Sequence, residues 1–369
     1  MKKKVFIYSY SNYNLGDDLF VKTLCERYPE VQFYTFINDP NYEEVFSDIV
    51  NITIYSKRSK RVKLIKSVLR RIKNRDKEKD NVSYILSHFC SCLVLIGGSL
   101  FMQPTGSWIK HCVASEHRIV KNKPFYLIGS NFGPYSHPEF YENYEKLFSR
   151  FTDICFRDLY SYQLFNHLVN VRIAPDVLFD MRYKKQPKLL NQIGISVISL
   201  KNREDCQIYS QPYLDKIVEI VKYYIQRGYL IKLFSFCRPE GDEEAMEEII
   251  EELKDSEKAN VTCCYYRGNM EQTMDELQKS SFVVATRFHC MILGWVFNIP
   301  VFPIIYSNKM LNVINDMNFT GHYATLQNIV DLSPNDVNYN LRNNIVLDIS
   351  ETNQKAKLQF QGLDEFIHR

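Results

Sequence analysis

The stretch Ser280–Lys309, SSFVVATRFHCMILGWVFNIPVFPIIYSNK, decides the fold. Phe282–Ala285 is a brief apolar run, and Thr286-Arg287-Phe288-His289 is a short polar loop. Cys290–Phe297 reads as helix, Asn298-Ile299-Pro300 stops it, and Val301–Ile305 is a β-rich run. A loop of this kind lies at the carboxyl edge of a parallel sheet, where open α/β folds bind ligands. It sets a permanent cation, Arg287, two residues before an imidazole, His289, at a helix start that favours anions.

The same alternation extends in both directions. Towards the amino end of this half, the spacing predicts strands over Gln192–Val197, Leu230–Phe234 and Val261–Tyr265. Helices are predicted over Tyr213–Arg227, Glu243–Lys254 and Met270–Lys279. The acidic helix holding Glu243 and Glu251 reads as a solvated face. The first half repeats the pattern, with strands at Val5–Ser9, Val31–Ile37, Ile52–Tyr55, Leu93–Ile96, Pro124–Ile128, Asp153–Phe156 and Val171–Ile173. Its predicted helices include Leu19–Arg27, Tyr84–Phe89, Trp108–Val120, Tyr141–Ser149 and Leu159–His167. Ala174–Leu190 reads as the connection between domains. The expected architecture is α/β: two Rossmann-like parallel-sheet domains, 1–180 and 188–335, facing a cleft. A C-terminal helix, Glu351–Phe366 within 350–369, is expected to cross back onto the first domain.

Loops of the first half carry further candidates. Ser11–Asp18 follows the first strand, and Gly16 beside two carboxylates marks a turn into a helix. Asp17 and Asp18 either cap free N–H groups there, or one of them points into a cleft as a base or sugar-hydroxyl acceptor. Gly97-Gly98 after a strand allows close backbone approach, and Gly129–Pro134 is a second glycine-bearing loop. Neither is GxGxxG nor a Walker loop. Arg157-Asp158 at a strand end is either an ion pair or a substrate clamp.

Composition narrows the function classes. Net charge is +3, too small to argue for nucleic acid by itself. The charge is local, however: Lys57–Lys79 holds twelve Lys or Arg against two acids, leaving about −7 for the rest of the chain. Val62, Ile65, Leu69 and Ile72 fall on one face of that segment, an amphipathic basic helix. It either packs its apolar stripe on its own domain or lies on an anionic membrane face. No aromatic residue is interleaved with the charges, which weakens a nucleic-acid reading. The ten Cys fall in no metal-ligand spacing and sit in apolar runs, so a reducing compartment without structural disulfides or a metal is expected. MKKKVFIYSYSNYN is a first strand rather than a signal peptide, and no apolar run is long enough to span a bilayer. A cytoplasmic protein is expected, peripheral on the inner face of the plasma membrane if the basic helix docks there.

Seven motifs in order give the chain a resemblance. They are Asn14-Leu15-Gly16-Asp17-Asp18, Gly97-Gly98-Ser99-Leu100, Gly129–Pro134, Arg157-Asp158-Leu159-Tyr160-Ser161, Ala174-Pro175-Asp176, Thr286-Arg287-Phe288-His289 and Tyr306-Ser307-Asn308-Lys309. Together they resemble the polysaccharide pyruvyltransferases over residues 5 to about 320. Ser99 replaces a common third Gly, Thr286 a Ser and Phe288 a Leu. The resemblance implies a GT-B-like fold and transfer of pyruvyl from phosphoenolpyruvate onto two sugar hydroxyls as a ketal, in bacterial surface or exopolysaccharide (capsule) synthesis. It implies no cofactor beyond phosphoenolpyruvate as co-substrate. His289 and Asp17 are the implied catalytic residues, and Arg287, Arg157, Lys309 and Phe288 the donor-binding ones. Asn14, Gly16, Asp18, Gly97, Gly98, Ser99 and Gly133 are assigned to acceptor or cleft loops. The acceptor is expected to be a lipid-linked or nucleotide-linked saccharide. Two alternatives remain at this stage: a GT-B-type glycosyltransferase using a nucleotide sugar, and a non-catalytic scaffold of the same fold.

Overall fold

The computed structural model describes residues 2–71, 78–104, 120, 122–201, 203 and 205–369, with backbone alone at 68–71 and 78–81. The expected helix Trp108–Val120 lies outside the described residues except for Val120, and so does Ile72; the side chain of Leu69 is likewise not described. The chain divides into two compact units. The first comprises Met1–Ser11, Asp17–Met181 and Thr352–Arg369; the second comprises Asn12–Gly16 and Arg182–Glu351.

In the first unit, seven strands run parallel: β1 (Lys4–Ser9), β2 (Gln32–Phe36), β3 (Ile52–Tyr55), β4 (Cys92–Ile96), β5 (Phe125–Ser130), β6 (Asp153–Phe156) and β7 (Val171–Ile173). Their order is β3-β2-β1-β4-β5-β6-β7. Helices cover both faces of such a sheet, so its central strands read as continuous apolar runs. Every residue of β4 and β5 is buried accordingly. Much of the aromatic content fills this core. The Phe132 ring meets Phe140, Tyr144, Phe148 and Phe165 at centroid distances of 4.9–6.1 Å.

The second unit holds six parallel strands: β8 (Gln192–Ser196), β9 (Leu230–Ser235), β10 (Val261–Tyr265), β11 (Phe282–Ala285), β12 (Val301–Ile305) and β13 (Ala324–Thr325). Their order is β10-β9-β8-β11-β12-β13. In both sheets the order reverses once, between β1 and β4 and between β8 and β11. Loops leaving the carboxyl ends of the strands at such a point diverge and leave room for ligands.

Several boundaries differ from the sequence expectation. The first helix begins at Leu15, not Leu19, so Gly16, Asp17 and Asp18 lie in its first turn, where carboxylates complement the helix dipole. The helix after β11 begins at Phe288, with Arg287 at its N-cap position. Within the basic segment Lys60–Arg71 is helical and Glu78 opens the helix Glu78–Ser87, while residues 72–77 lie outside the described residues. Val62 is buried in the first core and Ile65 packs against it, whereas Leu64 is 67% exposed. Helices at Asn308–Asp316 and Pro334–Arg342 were not expected. The expected single C-terminal helix is three pieces, Ser350–Ala356, a 3-10 turn at Lys357–Phe360, and Gln361–Ile367. The turn delivers the buried Gln359 to the backbone of the first unit. Its amide donates to Ala174 O at 2.7 Å, and its Oε1 accepts from Gly129 N at 2.9 Å. Gly362 lies so close to Asp153 that an added Cβ would stand 2.5 Å from the carboxylate carbon.

Candidate active site

In the first unit, five of the seven motifs meet around one guanidinium. Arg157 follows β6, and its Nη1 donates to Asp176 Oδ2 at 2.9 Å, with both side chains only 1% exposed. Its Nη2 donates to Asn131 Oδ1 at 2.6 Å, and Ser99 Oγ lies 3.2 Å from the same oxygen. Gly98 sits under the guanidinium, where a Cβ would stand 2.7 Å from Nη1. Gly98 N in turn donates to Asp17 Oδ1 at 3.2 Å, and Asn131 N donates to Gly98 O at 3.0 Å. Gly97 and Gly133 hold positive φ, which glycine adopts without steric cost. The neighbouring Asp158 is buried too and has a capping role. It caps the following helix by accepting from Ser161 N at 2.7 Å, while Ser161 Oγ accepts from Phe132 N at 2.8 Å. Asp18 is buried, 3.4 Å from the Tyr42 hydroxyl. Burial pushes the Asp176 carboxyl up against the opposing pull of Arg157.

In the second unit, the loop after β11 is anchored to β8, with Thr286 N donating to Ser196 O and Arg287 N to Ser196 Oγ at 3.2 Å. The Arg287 side chain is 6% exposed and grips Asp242, which is wholly buried. Its Nε lies 3.0 and 2.9 Å from the two Asp242 oxygens, and Nη2 also donates to Asp242. Nη1 reaches Glu240 Oε2 at 2.5 Å, and Arg203 Nη2 donates to that same oxygen at 2.7 Å. Asp242 also accepts from Phe236 N at 2.8 Å and Cys237 N at 2.9 Å, which fixes the loop after β9. That loop holds the segment Asn12–Gly16. Asn14 forms an antiparallel bridge to Cys237, Leu15 N donates to Phe236 O at 3.0 Å, and Asn14 Oδ1 accepts from Gly16 N at 3.1 Å. Gly16 ends directly against the His289 ring: a Cβ there would stand 1.6 Å from Nδ1. His289 is half-buried and edge-on to Phe288 at 5.0 Å.

A third cation, Lys309, stands beside Arg287 and Arg203. Lys309 Nζ is 5.7 Å from the Phe288 ring and 5.8 Å from the Tyr306 ring, and Arg203 lies 5.1 Å from Tyr306. Electrostatics follow from the crowding. Burial works to raise the Glu240 carboxyl, but Arg287, Arg203 and Lys309 outweigh it and hold it at about 2. Burial also pushes the Tyr306 hydroxyl up, yet Lys309, Arg287 and Arg203 bring it below its ordinary value.

Of the residues expected from sequence, the structure therefore brings Asn14, Gly16, Arg287, Phe288, His289 and Lys309 together within the second unit. Asp17, Asp18, Gly97, Gly98, Ser99, Gly133 and Arg157 belong to the first. Asn14 and Gly16, expected among the first domain's loops, are thus assigned to the other unit. Glu243, expected on a solvated face, has a side chain 9% exposed, with Arg267 at 2.8 Å and Arg238 at 3.5 Å; Glu251 is exposed. Asp242, Glu240, Arg203 and Asn131 were missed altogether. The available signal was Gly241-Asp242 at a helix start just beyond a strand, the same type of position as Gly16-Asp17. Among the described residues, no group of three or more His, Cys, Asp or Glu is placed to hold a metal ion. No described helix is long and apolar enough to cross a membrane.

The amylovoran biosynthesis protein AmsJ of Erwinia amylovora is 20% identical over 272 residues, which span 65% of this chain and 62% of AmsJ. Among solved structures, the UDP-GlcNAc 2-epimerase from Neisseria meningitidis bound to UDP-GlcNAc matches with a TM-score of 0.62 at 10% identity, covering 99% of this chain and 100% of that one. S. aureus MnaA with UDP gives 0.58 at 11% identity, covering 100% and 97%. S. aureus TarM in complex with fondaparinux, alpha-GlcNAc-glycerol and UDP gives 0.55 at 12% identity, covering 100% and 99%. These likenesses establish the fold, two parallel-sheet α/β domains of GT-B type. Residues 14–308, most of the chain, match the family described as polysaccharide pyruvyl transferase. The chain belongs to that family.

Proposed function

We propose that this chain transfers pyruvyl from phosphoenolpyruvate onto two hydroxyls of a saccharide as a ketal, in the synthesis of a bacterial surface polysaccharide. The observation that carries the reading is the cluster at the second sheet's strand-order reversal, where Arg287, His289 and Lys309 gather around two aromatic rings. Phosphoenolpyruvate bears a phosphate and a carboxylate, and fixed cations suit both. The reaction needs a proton delivered to the enol methylene carbon while one sugar oxygen bonds to C2. The C2–O bond to phosphate then breaks, and a second sugar oxygen closes the ring. Of the two hydroxyl protons, one ends on the new methyl group and the other leaves with phosphate.

His289 is the proposed proton carrier for the methylene carbon, since imidazole exchanges protons near neutral pH. Its ring is seated by Gly16, which offers no side chain to displace it. Asp17, next in the chain after Gly16, is the proposed acceptor of a sugar-hydroxyl proton. Arg157 enters this reading as the tie between first-unit loops rather than as a donor ligand, because its guanidinium is already engaged by Asp176 and Asn131. The test is incubation with phosphoenolpyruvate and a panel of lipid-linked and nucleotide-linked saccharides. Phosphate release coupled to a pyruvyl mass gain on one acceptor is expected, and should be abolished by His289→Ala. Turnover of a nucleotide sugar without phosphoenolpyruvate would favour a glycosyltransferase instead.

The acceptor is proposed to be presented at an anionic membrane surface through the helix Lys60–Arg71. There Lys60, Arg61 and Lys63 border the exposed Leu64, while Val62 anchors the opposite face. Basic residues near such a surface contribute about 1 kcal/mol each. Lys60→Glu with Lys63→Glu should therefore lower co-sedimentation with phosphatidylserine-containing vesicles. Unchanged sedimentation would refute the membrane assignment.

A further inference from the structure

We infer that Arg203 and Glu240 form a switchable part of the donor site. In this view Arg203 binds an oxyanion of phosphoenolpyruvate, and Glu240 is the internal anion with which the ligand competes. The inference rests on the reading that the second unit takes phosphoenolpyruvate, and it deepens that reading by adding two residues outside the seven motifs.

The geometry distinguishes two kinds of arginine in one cluster. Arg287 already has a complete partner in Asp242, whose two oxygens it grips at the buried end of the site. Glu240 is additional to that pairing. Its single oxygen Oε2 accepts from Arg287 at 2.5 Å and from Arg203 at 2.7 Å, so one acid is shared by two cations. The side chains of Glu240 and Arg203 are 29% and 31% exposed, whereas Arg287 is 6% and Asp242 0% exposed. The solvent-facing end of the cluster is therefore the shared carboxylate and the second arginine.

Arg203 also lies over the Tyr306 ring, against which Lys309 approaches as well. Two cations on one ring repel each other unless an anion stands between or beside them. A phosphate or carboxylate placed at this end would take over the role that Glu240 fills for Arg203. Arginine suits that exchange, because its planar fork matches either oxyanion bidentately. The neighbouring Tyr306 hydroxyl, drawn below its ordinary value by the same cations, reflects how strongly positive this end is.

The experiment is isothermal titration of full-length wild type, Arg203→Ala, Arg203→Lys and Glu240→Gln with phosphoenolpyruvate, inorganic phosphate and pyruvate. Thermal unfolding of each variant without ligand checks the fold. Loss of one charge-assisted contact should weaken phosphoenolpyruvate binding in Arg203→Ala by roughly tenfold or more, with Arg203→Lys in between. Glu240→Gln keeps an acceptor oxygen but removes the competing charge, so it should bind tighter than wild type. Phosphate affinity falling in Arg203→Ala identifies the phosphate end of the ligand, and pyruvate affinity falling identifies the carboxylate end. Wild-type binding matched by Arg203→Ala within about twofold would overturn the inference while leaving the donor reading intact. Weaker binding in Glu240→Gln would overturn the role given to Glu240. Absence of binding to wild type would instead overturn the donor reading, and this inference with it.

Discussion

Both units set an arginine just after a strand and pair it with an aspartate from another loop, after β6 in the first and after β11, beside the reversal of strand order, in the second, and they use the pair differently. In the first unit, Arg157 and Asp176 are both 1% exposed, and Arg157 also meets Asn131 and Gly98, loop residues of the same unit. In the second, Arg287 is sealed by Asp242 at one end but continues through Glu240 to the half-exposed Arg203. A closed pair stabilises loops; a pair with an open end can also meet a ligand. The difference teaches that a motif arginine at a sheet edge cannot be assigned from its position alone. What its far nitrogen touches decides.

The contrast can be broken at several points. The largest effect on stability is expected for Arg157→Met, which strands the buried Asp176 carboxylate. Breaking a buried pair from one side costs about 3–5 kcal/mol. Urea denaturation should show that loss, and a cost under about 1 kcal/mol would mean that the pair does not tie the loops. Asp242→Ala should also destabilise the fold, but by less, because Arg287 keeps its ion pair with Glu240.

Next comes Gly16→Ala. The new Cβ would collide with the His289 ring, which must then move aside. A displacement of about 1 Å near reacting atoms lowers turnover on the order of a hundredfold. The expected signature is a fall in kcat with the unligated Tm nearly preserved. Normal turnover in this variant would remove His289 from the proposed chemistry, or show that the ring works equally well elsewhere.

A smaller effect is expected in acid. Glu240 is held at about 2, below its unfolded value, so its ion pairs stabilise the fold above the unfolded value and are lost as pH falls towards about 2. That corresponds to about 3 kcal/mol at most, lost between roughly pH 5 and pH 2. Glu240→Gln should flatten the acid limb of a stability-versus-pH curve in this window. An unchanged slope would show that other carboxylates carry the acid sensitivity.

Much of the fold is legible in the sequence, for a physical reason. Strands buried on both faces read as apolar runs, and β4, β11, β12 and most of β5 can be read directly from LVLI, FVVA, VFPII and FYLI. Helix starts are less legible. Gly16-Asp17-Asp18 and Phe288-His289 look like loop chemistry, yet each lies in a first helical turn, and only the carboxylates Asp17 and Asp18 are of the type that its free N–H groups favour. Site partners are the least legible. Asp176 is nineteen residues from Arg157, and Asp242 forty-five from Arg287. Local periodicity makes the Asp242 helix look like a solvated acidic face, because only the tertiary fold brings Arg287 against its first turn. Gly241 at positive φ marks where the chain turns to present Asp242.

The most direct test is thermal unfolding of wild type and Lys309→Ala with and without phosphoenolpyruvate. Lys309 is chosen over Arg287 because the buried Arg287–Asp242 pair also bears on stability. Ligand at about a hundredfold over Kd should stabilise the wild type by roughly 2.7 kcal/mol. If the second unit carries the donor site, that gain appears in the wild type and is largely lost in Lys309→Ala. No gain in the wild type, alongside a clear gain with a nucleotide sugar, would contradict the donor assignment.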